Sequence, residues 1–187
     1  IGNLYGLSET GPSHIDDPRK KNWKPGSIGV PLDVNKCKIS KHGEMLIKGE
    51  NVFIGYYKNK KLYEKVVKNH WFCTGDLGKY HKGRFYFVDR KKDLIIKSGI
   101  NIVPMEIEEV VHKHPNILEC VVIGKTDKIH GEEIALVAVK IGKIKNKTLR
   151  EEIIRLCAQN FSSYKIPNHI EFWNSIPKTP SKKLLRR

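Results

Sequence analysis

Apolar residues follow two different rhythms along this chain. In the first half they come in short runs, Cys37–Ser40, Glu44–Lys48, Leu77–Tyr80 and Arg84–Val88. Eight glycines, from Gly26 to Gly83, punctuate these runs. Short runs between turn residues are the pattern of strands joined by tight turns. They predict an antiparallel sheet or a small distorted barrel. One helix is predicted near Lys61–Lys68, with Leu62 and Val66 on one face.

The rhythm changes near Asp89. Asp93–Lys97 reads as a strand, and Pro104 suits the first turn of a helix. Met105, Ile107, Val110, Val111 and His114 follow at helical spacing, and Pro115 ends that helix. Leu118–Gly124 and Ile134–Ile141 read as strands. Thr148-Leu149-Arg150-Glu151 has the form of a capping box, opening a helix that buries Leu149, Ile153, Leu156, Cys157 and Phe161. His169–Trp173 is a last strand. Helix, strand, strand, helix, strand makes a compact α+β domain. The charged stretch Asp89–Asp93 has no apolar anchor and reads as a linker, dividing the chain into 1–89 and 90–187.

The chain has 187 residues, 39% hydrophobic and 29% charged, and this length supports a core without disulfides. No apolar run approaches the roughly 20 residues that span a bilayer, and the start Ile1-Gly2-Asn3-Leu4-Tyr5 is not a secretory signal. The formal charge of +15 would draw a polyanion. The lysines, however, are scattered from Lys20 to Lys183, with no aromatic RNA-binding signature beside them, which argues against a nucleic-acid partner. The four cysteines match no zinc pattern. Cys120 and Cys157 sit in apolar patterns as buried thiols, so the chain reads as reduced and cytoplasmic, with room for association at a membrane surface.

Four segments carry candidate chemistry. Tyr5-Gly6-Leu7-Ser8-Glu9-Thr10 offers a ring, a glycine, two hydroxyls and a carboxylate, a set that suits a nucleotide and Mg²⁺. A strand end with a capping Ser fits those residues equally well. Asp76, after Gly75, could accept from two ribose hydroxyls or cap its own turn. Asp89-Arg90-Lys91-Lys92-Asp93 with Lys97-Ser98-Gly99 is a solvated charge run on composition alone. The fourth segment is Pro177-Lys178-Thr179-Pro180-Ser181-Lys182-Lys183.

Taken together and in this order, YGLSET, TGD, DRKKDLIIKSG with NIVPMEIEEVV, and PKTPSKK resemble the adenylate-forming (AMP-binding) ligase superfamily. YGLSETGP, KGENVFIGYY and KSGINIVPMEIEEVV are similar to its acyl-CoA synthetase branch, both fatty-acyl and aryl. The resemblance implies the end of a large β-rich N-terminal domain with a distorted-barrel subdomain, then a small mobile α+β C-terminal domain. It implies a two-step reaction. A carboxylic acid and ATP give an acyl-adenylate and pyrophosphate, and coenzyme A then displaces AMP. By that match Tyr5 would stack on adenine, beside Gly6. Ser8 and Thr10 would lie by the phosphate, and Glu9 would hold Mg²⁺. Asp76 would bind the ribose, and Arg90 would approach ribose or phosphate. Lys92 would be the hinge, and Gly99 would line the path of the coenzyme A arm. Lys183 would bridge the substrate carboxylate and the α-phosphate. Lys182 stands where the family usually has Gly, and could take that role instead.

The family's phosphate-cradling loop and acyl pocket are not found in these residues. The chain therefore reads as a C-terminal fragment whose missing upstream segment is its natural partner, and which is inactive alone. Alternatives are the product of a split or decayed gene, or a ligase with a carrier-protein or amine acceptor.

Overall fold

The computed structural model describes residues 2–21, 23–180 and 184. Its contacts divide the chain into two compact units, Ile1–Lys92 and Asp93–Arg187.

In the first unit every strand pairing is antiparallel. Strands β1 (Asn3–Leu7), β2 (Gly11–Asp16) and β3 (Val30–Pro31) form one sheet in that order. The second sheet runs β4 (Asn35–Ile39), β5 (Glu44–Gly49), β7 (Trp71–His81), β6 (Val67–Lys68), with β8 (Arg84–Arg90) paired to β7. The two sheets are stitched together. Gly29 bridges Phe85 of β8, and Asn35 Nδ2 of β4 donates to the Ser13 carbonyl of β2 at 3.3 Å. This curled arrangement carries the barrel-like pattern expected from the short apolar runs. Alternation is visible along β5, where Met45 and Ile47 are fully buried. The interior is also polar. His14 is fully buried, as is Asp16, which pairs with the guanidinium of Arg84.

The predicted helix is α1 (Lys60–Val66), capped by Asn59 Oδ1, which accepts from the Leu62 amide at 3.1 Å. It buries none of its residues, and Leu62 is 38% exposed. Its expected apolar face is therefore not a core face among the described residues. Asp89 and Arg90, expected as linker, instead complete β8, and Asp89 is buried. Cross-strand pairing holds them in the first unit. Only Lys91–Asp93 leave the sheet, as one short 3₁₀ turn.

The second unit is an α+β sandwich of one sheet and two helices. Strands β9 (Ile95–Lys97) and β10 (Ile100–Ile102) form a tight hairpin. Helix α2 (Pro104–Val111) follows, then the long hairpin of β11 (Ile117–Asp127) and β12 (Gly131–Lys140). Helix α3 (Asn146–Asn160) then crosses over to β13 (His169–Phe172), which pairs parallel to β12. A parallel pair needs such a crossover. Ile107, Val111, Leu149, Ile153 and Cys157 are completely buried, together with Val122 and Ile134 from the sheet. The i, i+4, i+8 spacing of Leu149, Ile153 and Cys157 places them on one face of α3.

Two helix ends differ from the sequence pattern. Helix α2 stops at Val111, before Pro115, and His114 turns aside to bind Glu152 at 3.1 Å. Helix α3 begins at Asn146, so Thr148 lies inside its first turn and forms no cap. Lys140 Nζ donates to Asn146 Oδ1 at 2.8 Å and to the Ile144 carbonyl at 3.0 Å, holding the chain at that entry. Among the described residues no helix is long and apolar enough to cross a membrane.

Candidate functional site

The segment Tyr5–Thr10 forms the second half of β1 and the turn into β2. Gly6 is required there by crowding. A Cβ on it would lie 2.1 Å from the Gly11 carbonyl oxygen of the facing strand, where the register slips. Thr10 is fully buried and closes the turn. Its hydroxyl accepts from the Leu7 amide at 3.2 Å and donates to the Gly11 carbonyl at 2.9 Å. That hydroxyl is spent on the turn, whereas Ser8 is exposed at its tip.

The turn leaves Tyr5 facing β7. Its hydroxyl donates to Asp76 Oδ2 at 2.7 Å, and its ring meets the buried His14 edge-on at 5.5 Å. Burial, then the Asp76 carboxylate, push the Tyr5 phenol well above its ordinary pKa, so it remains a donor. Asp76 is only 3% exposed. Its backbone is set by Thr74, whose hydroxyl accepts from the Asp76 amide at 3.0 Å. Arg90 lies directly across the β7–β8 ladder, with Nε 3.6 Å from Asp76 Oδ1. Tyr5, Asp76 and Arg90, far apart in sequence, thus form one polar cluster.

Glu44 buttresses it. One of its carboxylate oxygens accepts from the Gly75 amide at 3.0 Å, and the other pairs with Lys91 Nζ at 3.1 Å. Lys92 is exposed within the 3₁₀ turn that ends the first unit.

Glu9 is placed by a loop that the sequence patterns did not single out residue by residue, 51–56. Tyr56 Oη donates to Glu9 Oε1 at 2.9 Å, and the Phe53 amide donates to the Glu9 carbonyl at 2.8 Å. Asn51 Nδ2 donates to the carbonyls of Thr10 at 2.6 Å and Pro12 at 3.1 Å. Burial and the Glu9 carboxylate raise the Tyr56 pKa. The only sequence signal for this loop was its membership of the KGENVFIGYY stretch. Asn51, Glu44 and Thr74, whose hydroxyl also donates to the Met45 carbonyl at 2.8 Å, bind segments distant in sequence, which no local pattern encodes.

In the second unit, Ser98 (φ 50°) and Gly99 (φ 78°) form the two-residue turn of the β9–β10 hairpin. The Ser98 amide donates to the His130 carbonyl at 2.7 Å. A Cβ at Gly99 would meet nothing within 4 Å, so glycine is there for its left-handed backbone and not to relieve crowding within the chain. At the end of the chain, Lys178 pairs with Leu184 in an antiparallel bridge and contacts Glu119 at 2.5 Å. Lys182 and Lys183, the sequence's candidates for a catalytic cation, lie outside the described residues.

Comparison with known proteins matches residues 106–183 to the family described as AMP-binding enzyme C-terminal domain. A long-chain-fatty-acid–CoA ligase of Yersinia pestis is 36% identical over 196 residues, covering 98% of this chain and 34% of that protein. A 2-succinylbenzoate–CoA ligase of Bacillus cytotoxicus is 38% identical over 174 residues, covering 88% of this chain and 35% of that protein. The structure of o-succinylbenzoate coenzyme A synthetase from Bacillus subtilis, in complex with AMP, superimposes with a TM-score of 0.85 at 32% identity, covering 99% of this chain and 40% of that one. ATP-bound MatB from Rhodopseudomonas palustris gives 0.90 at 25% identity, covering 98% and 39%. The chain spans about a third of the length of the curated relatives it matches.

Proposed function

We propose that this chain, which belongs to the adenylate-forming (AMP-binding) ligase superfamily, is the C-terminal part of an ATP-dependent acyl-CoA ligase acting on a fatty or aryl carboxylic acid. The reaction has two steps. An acid carboxylate attacks the α-phosphorus of ATP, forming an acyl-adenylate and releasing pyrophosphate. The thiol of coenzyme A then attacks the acyl carbon, forming the thioester and releasing AMP with the thiol proton passing to solvent.

The observation that carries this reading is the Tyr5–Asp76–Arg90 cluster. An ionised carboxylate has about four acceptor positions. Tyr5 uses one on Oδ2, and Arg90 stands off at 3.6 Å. A carboxylate acceptor held in this way suits the hydroxyls of a ribose. Arg90 is partly exposed, and its fork suits the same sugar or an adjoining phosphate. The Tyr5 ring offers a face to the base. Its bond to Asp76 fixes both groups before nucleotide arrives, which reduces the cost of ordering them on binding.

Glu9 fits the cation expected with ATP. Mg²⁺ is commonly held by one or two carboxylates together with substrate phosphates, and Glu9 brings one carboxylate on a fixed turn. Bound there, Mg²⁺ would offset the phosphate charge that repels the attacking acid. Ser8 is exposed beside it, while Thr10 contributes by holding the turn. Lys183, or Lys182 in its place, supplies a cation between the acid carboxylate and the α-phosphate. Lys92 is the hinge for the second step, and Gly99 borders the coenzyme A path.

Nucleotide titration of the full-length protein tests the ribose role. Asp76→Ala is expected to weaken ATP binding by roughly ten- to a hundredfold, the loss for hydrogen bonds to a charged acceptor. Wild-type affinity in that variant would remove Asp76 from the site.

A further inference from the structure

The loop between β5 and α1 holds the Glu9 turn at four points. Asn51 binds the carbonyls of Thr10 and Pro12, the Phe53 amide binds the Glu9 carbonyl, and Tyr56 Oη binds Glu9 Oε1. The loop is itself anchored by aromatic packing. The Phe53 ring meets Tyr56 at 4.7 Å, Tyr63 at 5.3 Å and the buried Phe72 of β7 at 5.7 Å, all edge-to-face. Tyr56 is thus a rigid arm rooted in the sheet, and Glu9 is gripped at its backbone and at one carboxylate oxygen. Among the described residues, Glu9 Oε2 makes no hydrogen bond. A glutamate on a turn tip would otherwise sample several rotamers, and each ligand-binding event would have to select one.

We propose that Tyr56, supported by Asn51, is a positioning residue for the nucleotide-bound divalent cation. It holds Glu9 through Oε1 and leaves Oε2 to the metal. This rests on the reading of Glu9 as the carboxylate that meets Mg²⁺. A preorganised ligand lowers the concentration of cation needed, with no change in the chemistry once the cation is bound.

The test uses the full-length protein as wild type, Tyr56→Phe and Glu9→Gln. Mn²⁺ binding in the presence of ATP is followed by electron paramagnetic resonance, and the Mg²⁺ dependence of pyrophosphate exchange is followed alongside. Tyr56→Phe keeps the ring on Phe53 and removes only the hydroxyl. It is expected to weaken Mn²⁺ binding and raise the Mg²⁺ requirement by roughly three- to tenfold, as one lost hydrogen bond would. Its rate at saturating Mg²⁺ and its melting temperature stay near wild type, which a merely structural role would not give. Should Tyr56→Phe fail to fold, Asn51→Ala is expected to weaken Mn²⁺ binding in the same direction with the rate at saturating Mg²⁺ kept, and to melt at a lower temperature because two hydrogen bonds are lost. If Glu9→Gln binds Mn²⁺ weakly while the loop variant binds like wild type, the positioning role is overturned and the Glu9 reading stands. If Glu9→Gln also binds like wild type, both fall.

Discussion

His14 shows how burial alone sets a residue's chemistry. It is fully buried, between the rings of Tyr5 at 5.5 Å and Phe85 at 5.1 Å. Desolvation lowers its pKa to about 4. In the unfolded chain it titrates near 6.5, so between those two values the unfolded state binds more protons. Stability is therefore complete above pH 6.5 and is lost as pH falls toward 4, by roughly 3 kcal/mol from this residue. Denaturant unfolding at several pH values should show a steeper fall in wild type than in His14→Gln across that window. Equal slopes would place the titration elsewhere. The position of His14 also bears on function, since its ring supports the Tyr5 ring whose hydroxyl holds Asp76. The sequence displayed Tyr5, Asp76 and Arg90 as separate short stretches. Their union depends on the pairing of β7 with β8 and on the β1–β2 hairpin facing them, which are tertiary facts. Thr10 illustrates the opposite case. Its residue type suited a phosphate, but its burial assigns its hydroxyl to the turn.

At the scale of elements, Gly6 on β1 of the first unit and Gly99 in the β9–β10 turn of the second serve different physical needs, and substitution separates them. Gly6 stands against the facing strand, and Gly6→Ala must push β1 and β2 apart at the bulge. A loss on the order of 2 kcal/mol or more is expected, within the range for overpacking. Gly99 sits in open space at φ 78°, so Gly99→Ala costs only the left-handed backbone, about 1–2 kcal/mol. Thermal or denaturant melts of the two variants measure this directly. A larger loss at Gly99 than at Gly6 would mean that the hairpin contacts are misassigned. The strands β4, β5, β8, β11 and β12 were legible from alternation and turn residues, because local patterns report local burial. The β1–β2 hairpin was not, since Gly6, Gly11 and Pro12 interrupt its pattern. The start of α3 was missed for a similar reason. A capping-box sequence was present at Thr148–Glu151, but Lys140, on the preceding strand, holds the chain at Asn146 and the helix begins there.

At the scale of the whole molecule, the two units have distinct interiors. The second has an apolar core of aliphatic side chains and two cysteines, while the first buries His14, Asp16, Asp76, Arg84 and Asp89. Polar interiors of that kind are costly unless their partners are in place. Here Asp76 pairs with Tyr5 and Arg90, and His14 packs against the Tyr5 ring. The most direct measurement is acid-dependent exchange of labelled pyrophosphate into ATP by the full-length protein, with Asp76 intact and as Asp76→Ala. Exchange that requires one of a panel of fatty and aryl acids, and collapses in the variant, is the predicted result. No exchange with any acid of the panel, or equal exchange by the two proteins, would contradict an acyl-adenylate-forming ligase built on this site.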